Sequence, residues 1–172
     1  MTLKRFALAA LCLAGLSAAP AVAAPAPEVE IASFAQLKTP LPYPYDERAD
    51  ANAAVAAARA QARREHKLLM IDLGGNWCAD CRILAGTMAL PSLRAFIEAH
   101  YVVVFVDVGR FDRNLQIPAH YGVIRRLEGV PSLLIVDPIA DRLLDPGQDA
   151  ALADARYMSP QTLADWLARW TA

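Results

Sequence analysis

The residues with the clearest chemical potential are Cys78 and Cys81, which are separated by Ala79 and Asp80 and preceded by Trp77. Two thiols three positions apart, on a turn that leads from a strand into a helix, can close into a small disulfide ring and open again. A ring of this size restricts the unfolded chain little, so it adds little stability. The spacing therefore predicts a redox-active pair rather than a structural cross-link.

The position of Cys78 just before a helix predicts that it is the nucleophile of the pair. Free N–H groups and the helix dipole favour negative charge at a helix N-terminus, and they lower the pKa of a thiol there. Cys81 lies one turn further into the helix, beneath Cys78. We expect Cys78 to attack a substrate disulfide, and Cys81 then to attack Cys78 and release the reduced substrate.

Asp72 lies six residues before Cys78, within an apolar run at residues 68–73 that predicts a buried strand. An unpaired carboxylate is costly in such a place, so desolvation should raise its pKa. Asp72 would then accept the proton of Cys81 through a water molecule. The alternative is that Asp72 lies at a strand edge and is solvated beside the glycine turn that follows.

Ala79 and Asp80 occupy the two positions between the cysteines and should tune their redox behaviour. Asp80 suits the first turn of a helix, but it places negative charge near the Cys78 thiolate. We expect this charge to make the dithiol more reducing, with Arg82 offsetting part of the effect. Trp77 is expected to shield the thiol and to contact substrate.

Two other interpretations of the thiol pair stay open. Cu(I) accepts two thiolates, so a copper-handling protein is one alternative, and a redox-gated binding module without turnover is the other. A zinc site usually needs four ligands, and His66, His100 and His120 show no paired spacing. We therefore expect no resident metal and no other cofactor.

The first 23 residues are typical of a cleavable secretory leader. Two basic residues are followed by an apolar stretch and by an Ala-Val-Ala cleavage site at residues 21–23. An uncleaved membrane anchor is the alternative. Cleavage would remove Cys12 and leave the Cys78–Cys81 pair in an oxidising compartment, which we expect to be the periplasm. The formal net charge of −1, with no large basic cluster, argues against nucleic acid as a partner.

The remaining chain is long enough for one domain with a substantial core. Residues 24–49 are rich in proline and predict an extended linker with one edge strand near residues 29–34. Residues 50–172 form the predicted domain, in which helices and strands alternate. The expected strands are 68–73, 101–108, 132–136 and 142–144. The expected helices are one that Asp50 caps and that runs to about His66, 79–88, one that begins at Pro91, 115–121, and one that Ser159 caps and that begins at Pro160.

The order of these elements around the cysteines resembles that of the thioredoxin superfamily. The motifs that support the resemblance are Trp77-Cys78-x-x-Cys81, Asp72 six residues before Cys78, Tyr121-Gly122, and Gly129-Val130-Pro131-Ser132 ahead of an apolar strand. The first strand, the cysteine turn and the split helix also resemble the periplasmic C-terminal domain of the membrane thiol-reductant conductor. The resemblance covers about residues 50–170. It implies an α/β fold, a three-layer sandwich in which a central mixed β-sheet is flanked by helices.

The resemblance also implies an activity, which is reduction or exchange of disulfides in client proteins by a monomeric enzyme. A membrane electron donor would restore the dithiol. Pro131 would be cis and pack against the disulfide, which leaves the backbone of Val130 to pair with an extended substrate strand. The Ala-Asp dipeptide and the long stretch at residues 121–130 depart from the family pattern, so the choice of partner does not transfer.

Overall fold

The structure is a computed structural model that describes residues 23–171. The predicted leader, apart from its last residue, lies outside the described residues. Within residues 23–171 no helix is both long enough and apolar enough to span a bilayer.

One mixed sheet forms the centre of the molecule. Its strands are β1 (Leu68–Gly74), β2 (Tyr101–Asp107), β3 (Ser132–Asp137) and β4 (Arg142–Leu143). The spatial order is β2-β1-β3-β4, with β1 parallel to β2 and antiparallel to β3, and with β4 antiparallel to β3. Strand β1 is therefore central and buried on both faces, as its continuous apolar sequence predicts.

Five α-helices surround the sheet. They are α1 (Ala51–Glu65), α2 (Ala79–Met88), α3 (Pro91–His100), α4 (Gln116–His120) and α5 (Pro160–Ala168), and short 3-10 helices occur at Phe34–Gln36 and Ala155–Tyr157. Side chains cap α1 and α5: Asp50 accepts the N–H of Ala53, and Ser159 accepts the N–H of Thr162. These contacts fix where the helices begin.

Two apolar clusters lie on opposite faces of the sheet. Helix α1 covers one face, where it packs against alternate β1 side chains such as Leu69 and Ile71. Helices α2, α3 and α5 cover the other face, which includes Met70 and Ile135. Alternation of side chains along each strand supplies both layers. The predicted three-layer α/β fold is confirmed.

The proline-rich segment at residues 24–49, here called the N-terminal strap, packs along the domain. The edge strand predicted near residues 29–34 is wrong, because this stretch forms no strand pairing and leads into the 3-10 helix at Phe34–Gln36. Its polar groups bond to the domain instead: Gln161 bonds to the backbone of Pro27 and Val29, and Glu30 accepts the N–H of Ser92. The strap therefore brings side chains to the domain surface and, at its end, to the cysteines.

Candidate active site

The turn between β1 and α2 places the two cysteines at different depths. Cys78 is the N-cap residue of α2, and its Sγ accepts the N–H of Cys81 at 3.1 Å. The N–H of Cys78 donates to the carbonyl of Gly75 at 3.0 Å, which closes the turn. Cys78 keeps 6% exposure and Cys81 has none. Both cysteines are free thiols, so the structure corresponds to the reduced pair.

The surroundings move the pKa values of the two thiols in opposite directions. Hydrogen bonding from Cys81 lowers the pKa of Cys78 to about 7, against the opposing effect of burial. Hydrogen bonding with Cys78 and burial raise the pKa of Cys81 far above its ordinary value. At neutral pH a large fraction of Cys78 is therefore thiolate, whereas Cys81 remains a thiol. Only a thiolate attacks a disulfide effectively.

The loop before β3 lies directly beside Cys78. The Val130–Pro131 peptide bond is cis, as the sequence predicts. The Cys78 thiol donates to the carbonyl oxygen of Val130 at 3.3 Å, although the two residues are 52 positions apart. Val130 and Pro131 thus lie beside Cys78, where the backbone of Val130 was expected to pair with an extended substrate strand. In this reduced state the Val130 carbonyl is bonded to the thiol.

Trp77 lies on the surface beside Cys78, with 42% exposure. Its indole N–H donates to the carbonyl of Gly109 at 2.7 Å, and its ring meets the edge of Phe111 at a centroid distance of 6.1 Å. The guanidinium of Arg110 stacks over the other side of the indole at 4.4 Å. Trp77 is therefore held in one orientation without being buried.

A cleft of about 470 Å³ opens at the cysteine turn. Its walls come from the cysteine turn, the loop before β3 and the segment before the 3-10 helix at Ala155–Tyr157, and they include Trp77, Cys78, Ala79, Phe111, Val130 and Arg156. The Cys78 thiol lines this groove together with apolar side chains and with the charged residues Asp80, Glu128, Asp154 and Arg156. Such a groove fits an extended peptide better than a bulky folded surface.

Asp80 is largely buried and is bound by a residue that the sequence did not indicate. Its carboxylate accepts hydrogen bonds from the Arg156 guanidinium, with Nε at 2.9 Å, and from the Arg156 backbone N–H at 2.8 Å. Although burial opposes it, this contact holds the pKa of Asp80 below its ordinary value. The expectation that Arg82 offsets Asp80 is wrong, because Arg82 bonds to the backbone of Leu41 and Pro42 in the strap.

Asp72 lies inside the molecule, with no exposed surface. The alternative of a solvated carboxylate at a strand edge is therefore wrong. Its neighbours on β2 and β3 are Phe105 and Leu133, both apolar. Burial raises the pKa of Asp72 to about 7, while a hydrogen bond from Tyr45 acts in the opposite direction. Oδ2 of Asp72 has no hydrogen-bond partner among the described residues.

Tyr45, a second residue that sequence reasoning missed, is the sole described donor to the Asp72 side chain. Its hydroxyl donates to Asp72 Oδ1 at 2.8 Å, and it is only 3% exposed. Asn76 holds the Tyr45 backbone by two hydrogen bonds, of 3.2 and 2.7 Å. The one sequence signal was an aromatic residue among prolines, which gives no indication of a contact 27 residues away.

The described residues contain no cluster of three or more histidine, cysteine or acidic side chains that could hold a metal ion. His66 and His100 line a separate cavity of about 300 Å³, and His120 pairs with Asp141 at 3.2 Å. None of these histidines lines the cleft at Cys78.

Comparisons with known proteins agree with this fold. A family described as thioredoxin-like matches residues 50–138. The structure of a disulphide isomerase from Xylella fastidiosa Temecula1 is 38% identical, over 74% of this chain and 96% of that chain, with a TM-score of 0.68.

Two further solved structures are more distant. A DsbH oxidoreductase is 20% identical over 64% of this chain and 89% of that chain, with a TM-score of 0.39. A Pseudomonas aeruginosa protein of unknown function is 20% identical over 68% and 81%, with a TM-score of 0.37. No curated protein matches the sequence.

Proposed function

This chain belongs to the thioredoxin-like family, and we propose that it is a thiol–disulfide oxidoreductase that uses Cys78 and Cys81 to reduce or exchange disulfides in client proteins. The observation that carries the proposal is the contrast between the thiols. Cys78 lies at a helix N-terminus with its pKa lowered to about 7, and Cys81 is buried beneath it with its pKa raised. One thiol is ready to attack, and the other is kept from reacting with solvent.

The reaction follows from this arrangement. The Cys78 thiolate attacks one sulfur of a client disulfide, and the other client sulfur leaves as a thiolate. Cys81 loses its proton and attacks Cys78 Sγ, which closes the Cys78–Cys81 disulfide and releases the first client sulfur. Two electrons have passed from the enzyme dithiol to the client disulfide. The second step is slow unless a base accepts the Cys81 proton, and Asp72 is the carboxylate closest to that task.

Client binding is assigned to the cleft at Cys78. An extended segment would lie between Trp77 and the Val130–Pro131 loop, where it can form backbone hydrogen bonds. The bond from the Cys78 thiol to the Val130 carbonyl, which measures 3.3 Å, is lost when Cys78 releases its proton, and the carbonyl is then available to the client backbone. Backbone pairing of this kind selects for an unfolded or flexible disulfide region rather than for a particular sequence.

The dithiol is expected to be a reductant. The Cys78 pKa of about 7 matches that of thioredoxin, whereas strong oxidants stabilise their thiolate much further. We place the reduction potential closer to about −270 mV than to about −120 mV. Equilibration of the protein with glutathione measures this quantity, and a potential above about −150 mV would contradict the assignment.

We propose that the protein acts in the periplasm, as a monomer. The leader-like first 23 residues would direct export, and an exported dithiol must be kept reduced against an oxidising environment. A membrane electron donor, itself a dithiol, would supply those electrons. Fractionation of cells that express the full chain, followed by N-terminal sequencing, tests both export and cleavage near residue 23.

Insulin reduction in the presence of dithiothreitol tests the enzymatic activity. We expect the wild-type protein to accelerate insulin precipitation, Cys78→Ser to be inactive, and Arg48→Gln, a surface change outside the cleft, to match wild type. Equal rates for wild type and Cys78→Ser would show that the thiol pair is not a catalyst.

A further inference from the structure

The buried position of Cys81 raises the question of where its proton goes. Cys81 has no exposed surface, and its raised pKa keeps it a thiol until a base acts on it. Asp72 is equally buried and has no exposed surface. Bulk solvent therefore reaches neither the donor nor the acceptor in the reduced state.

The Tyr45 hydroxyl is close to both of these groups. It donates to Asp72 Oδ1 at 2.8 Å, and Asp72 and Cys81 both help to raise the pKa of Tyr45, after burial. Gly74 shows how closely the groups approach. A Cβ at this glycine would touch the Tyr45 hydroxyl and lie 2.8 Å from Cys81 Sγ. The absence of a side chain at Gly74 thus leaves the hydroxyl and the thiol facing the same small space.

We propose that Tyr45 is a catalytic residue that relays the proton of Cys81 to Asp72. The inference rests on the proposed function and adds a residue from the N-terminal strap to its second step. As Cys81 Sγ attacks Cys78 Sγ, the Cys81 proton moves to the Tyr45 oxygen and the Tyr45 hydroxyl proton moves to Asp72 Oδ1. The Cys81–Cys78 bond forms, the bond between Cys78 and the client sulfur breaks, and the client leaves as a thiolate.

Atoms and charge balance in this step. Asp72 ends as a neutral carboxylic acid, Tyr45 regains a hydroxyl proton, and the negative charge leaves with the client sulfur. When a donor dithiol later reduces the Cys78–Cys81 disulfide, the same path returns the proton from Asp72 to Cys81.

Tyr45 suits a relay better than it suits a base. Burial, followed by the neighbouring Asp72 and Cys81, raises the pKa of Tyr45 well above its ordinary value, so it does not hold a negative charge. A hydroxyl can still accept one proton while it donates another. The titratable groups that face Asp72 are Tyr45 from the strap and the two cysteines of α2. Its strand neighbours, Phe105 and Leu133, are apolar.

The strap is built to hold this hydroxyl in place. Asn76, in the turn just before the cysteines, bonds to both the N–H and the carbonyl of Tyr45. The Tyr45 ring meets the edge of Phe105 at a centroid distance of 5.6 Å. Arg82 of α2 bonds to the strap backbone at Leu41 and Pro42. These contacts position a side chain from outside the sheet against the reacting sulfur.

The test separates the two chemical steps with 5,5′-dithiobis(2-nitrobenzoate), which releases coloured thionitrobenzoate. Attack by Cys78 releases the first thionitrobenzoate, and attack by Cys81 on the resulting mixed disulfide releases the second. Stopped-flow absorbance follows both, and Cys81→Ser identifies the second release by its loss. In Tyr45→Phe we expect the first rate to stay within about twofold of wild type and the second to fall about 10- to 100-fold.

Tyr43→Phe is the matched control. It removes a hydroxyl from the same strap, at a residue that is 64% exposed and whose ring stacks on Arg82. We expect both releases to match wild type. A second release from Tyr45→Phe within about twofold of wild type would overturn the relay, and so would equal slowing of both releases, which indicates a structural role. A first release from Cys78→Ser as fast as that of wild type would instead overturn the proposed function.

A fluorotyrosine at position 45 tests the relay where loss of the hydroxyl disturbs folding. This side chain keeps the hydroxyl and its hydrogen bonds but makes its proton more acidic. A relay predicts that the second rate changes while the first does not. An unchanged second rate would show that the Tyr45 proton does not move in that step.

Discussion

The surroundings of Cys78 and Cys81 differ more than their separation of three residues suggests. Cys78 lines a cleft between loops, beside Trp77 and the Val130–Pro131 bond. Cys81 lies in a closed region whose polar groups are those of Asp72 and Tyr45. The open side makes one sulfur available to clients, and the closed side keeps the other protonated until it is needed.

The difference teaches that a short motif gains its chemistry from distant parts of the chain. The open side is completed by residues near positions 111, 130 and 156, and the closed side by positions 45 and 72. Each side also contains a carboxylate, but Asp80 has an arginine partner, whereas the donor to Asp72 among residues 23–171 is a hydroxyl group. The same functional group is therefore an ion at one site and a proton acceptor at the other.

Substitution of each cysteine by serine should give the largest effect, and it distinguishes the role of Cys78 on the open side from the role of Cys81 on the closed side. Cys78→Ser should lose all disulfide chemistry, because Cys81 is buried and protonated. Cys81→Ser should still attack clients and then remain joined to them. Mass spectrometry of proteins bound to each variant after non-reducing electrophoresis measures the outcome. Mixed disulfides that accumulate on Cys78→Ser would reverse the assigned roles.

Loss of the Asp72 carboxylate should slow turnover about 10²-fold, because the Cys81 proton then lacks its acceptor. Steady-state reduction of a fluorescent disulfide peptide by Asp72→Asn measures this effect. In wild type, turnover should rise as pH increases through about 7, where Asp72 becomes able to accept a proton. The Cys78 thiolate forms over the same range, so the dependence on Asp72 is obtained by comparison of the two pH profiles.

The same substitution should increase stability at high pH. The pKa of Asp72 is about 7 in the folded state against 3.8 ordinarily, so the folded state holds a proton that the unfolded state has released. Its contribution to stability is complete below about pH 4 and is lost as pH rises through about 7. At pH 8 the free energy of unfolding of Asp72→Asn should therefore exceed that of wild type by about 2–4 kcal/mol, and at pH 4 the two values should differ little.

Urea unfolding at both pH values measures this comparison. Asp145 is also buried, and its pKa is likewise raised to about 7, but it is present in both proteins and cancels in the difference. A stability difference that does not change between pH 4 and pH 8 would contradict the buried, proton-accepting state of Asp72.

A methyl group at Gly74 should damage the closed side alone. The added Cβ would meet the Tyr45 hydroxyl and ring and Cys81 Sγ, so Gly74→Ala should cost about 1–3 kcal/mol of stability. The cost should shrink in Tyr45→Phe, because that change removes one of the atoms in conflict. Gly86→Ala is the control, since its nearest contact is a flexible Leu41 side chain at 3.2 Å. Equal costs for both alanines would show that the space beside Gly74 is not restricted.

Substitutions in the Asp80–Arg156 pair should have the smallest effects, and the two substitutions should shift the pKa of Cys78 in opposite directions. Asp80→Asn leaves the Arg156 charge near Cys78 and should lower the Cys78 pKa, whereas Arg156→Gln leaves the Asp80 charge and should raise it. Each shift should be about half a pKa unit, because part of the pair is exposed to solvent. The pH dependence of iodoacetamide reaction measures both. Shifts of the same sign would show that the pair acts through structure rather than charge.

Much of this arrangement could be predicted from local patterns. The apolar run at residues 68–73, the glycine turn and the cysteines predict a strand, a turn and a capped helix. Burial of Asp72 followed from its apolar neighbours. In each case the physical cause lies within a few residues of the feature.

The features that sequence reasoning missed depend on contacts between distant residues. Arg156 binds Asp80 across 76 positions, and Tyr45 binds Asp72 across 27. Arginine on a loop and tyrosine among prolines are common, and neither shows a periodicity that specifies a partner. The strap was expected to be a linker for the same reason, because its contacts to the domain are single hydrogen bonds and isolated apolar side chains, such as Phe34 and Leu37, without a repeating pattern.

Site-resolved alkylation of the reduced wild-type protein tests the central contrast most directly. Brief reaction with iodoacetamide from pH 5 to pH 10, followed by peptide mass spectrometry, gives the reactivity of each thiol separately. The structure predicts modification at Cys78 alone, with a midpoint at about pH 7. Comparable modification of Cys81, or a Cys78 midpoint at the ordinary value of 9.0, would contradict the assignment of one attacking and one protected sulfur.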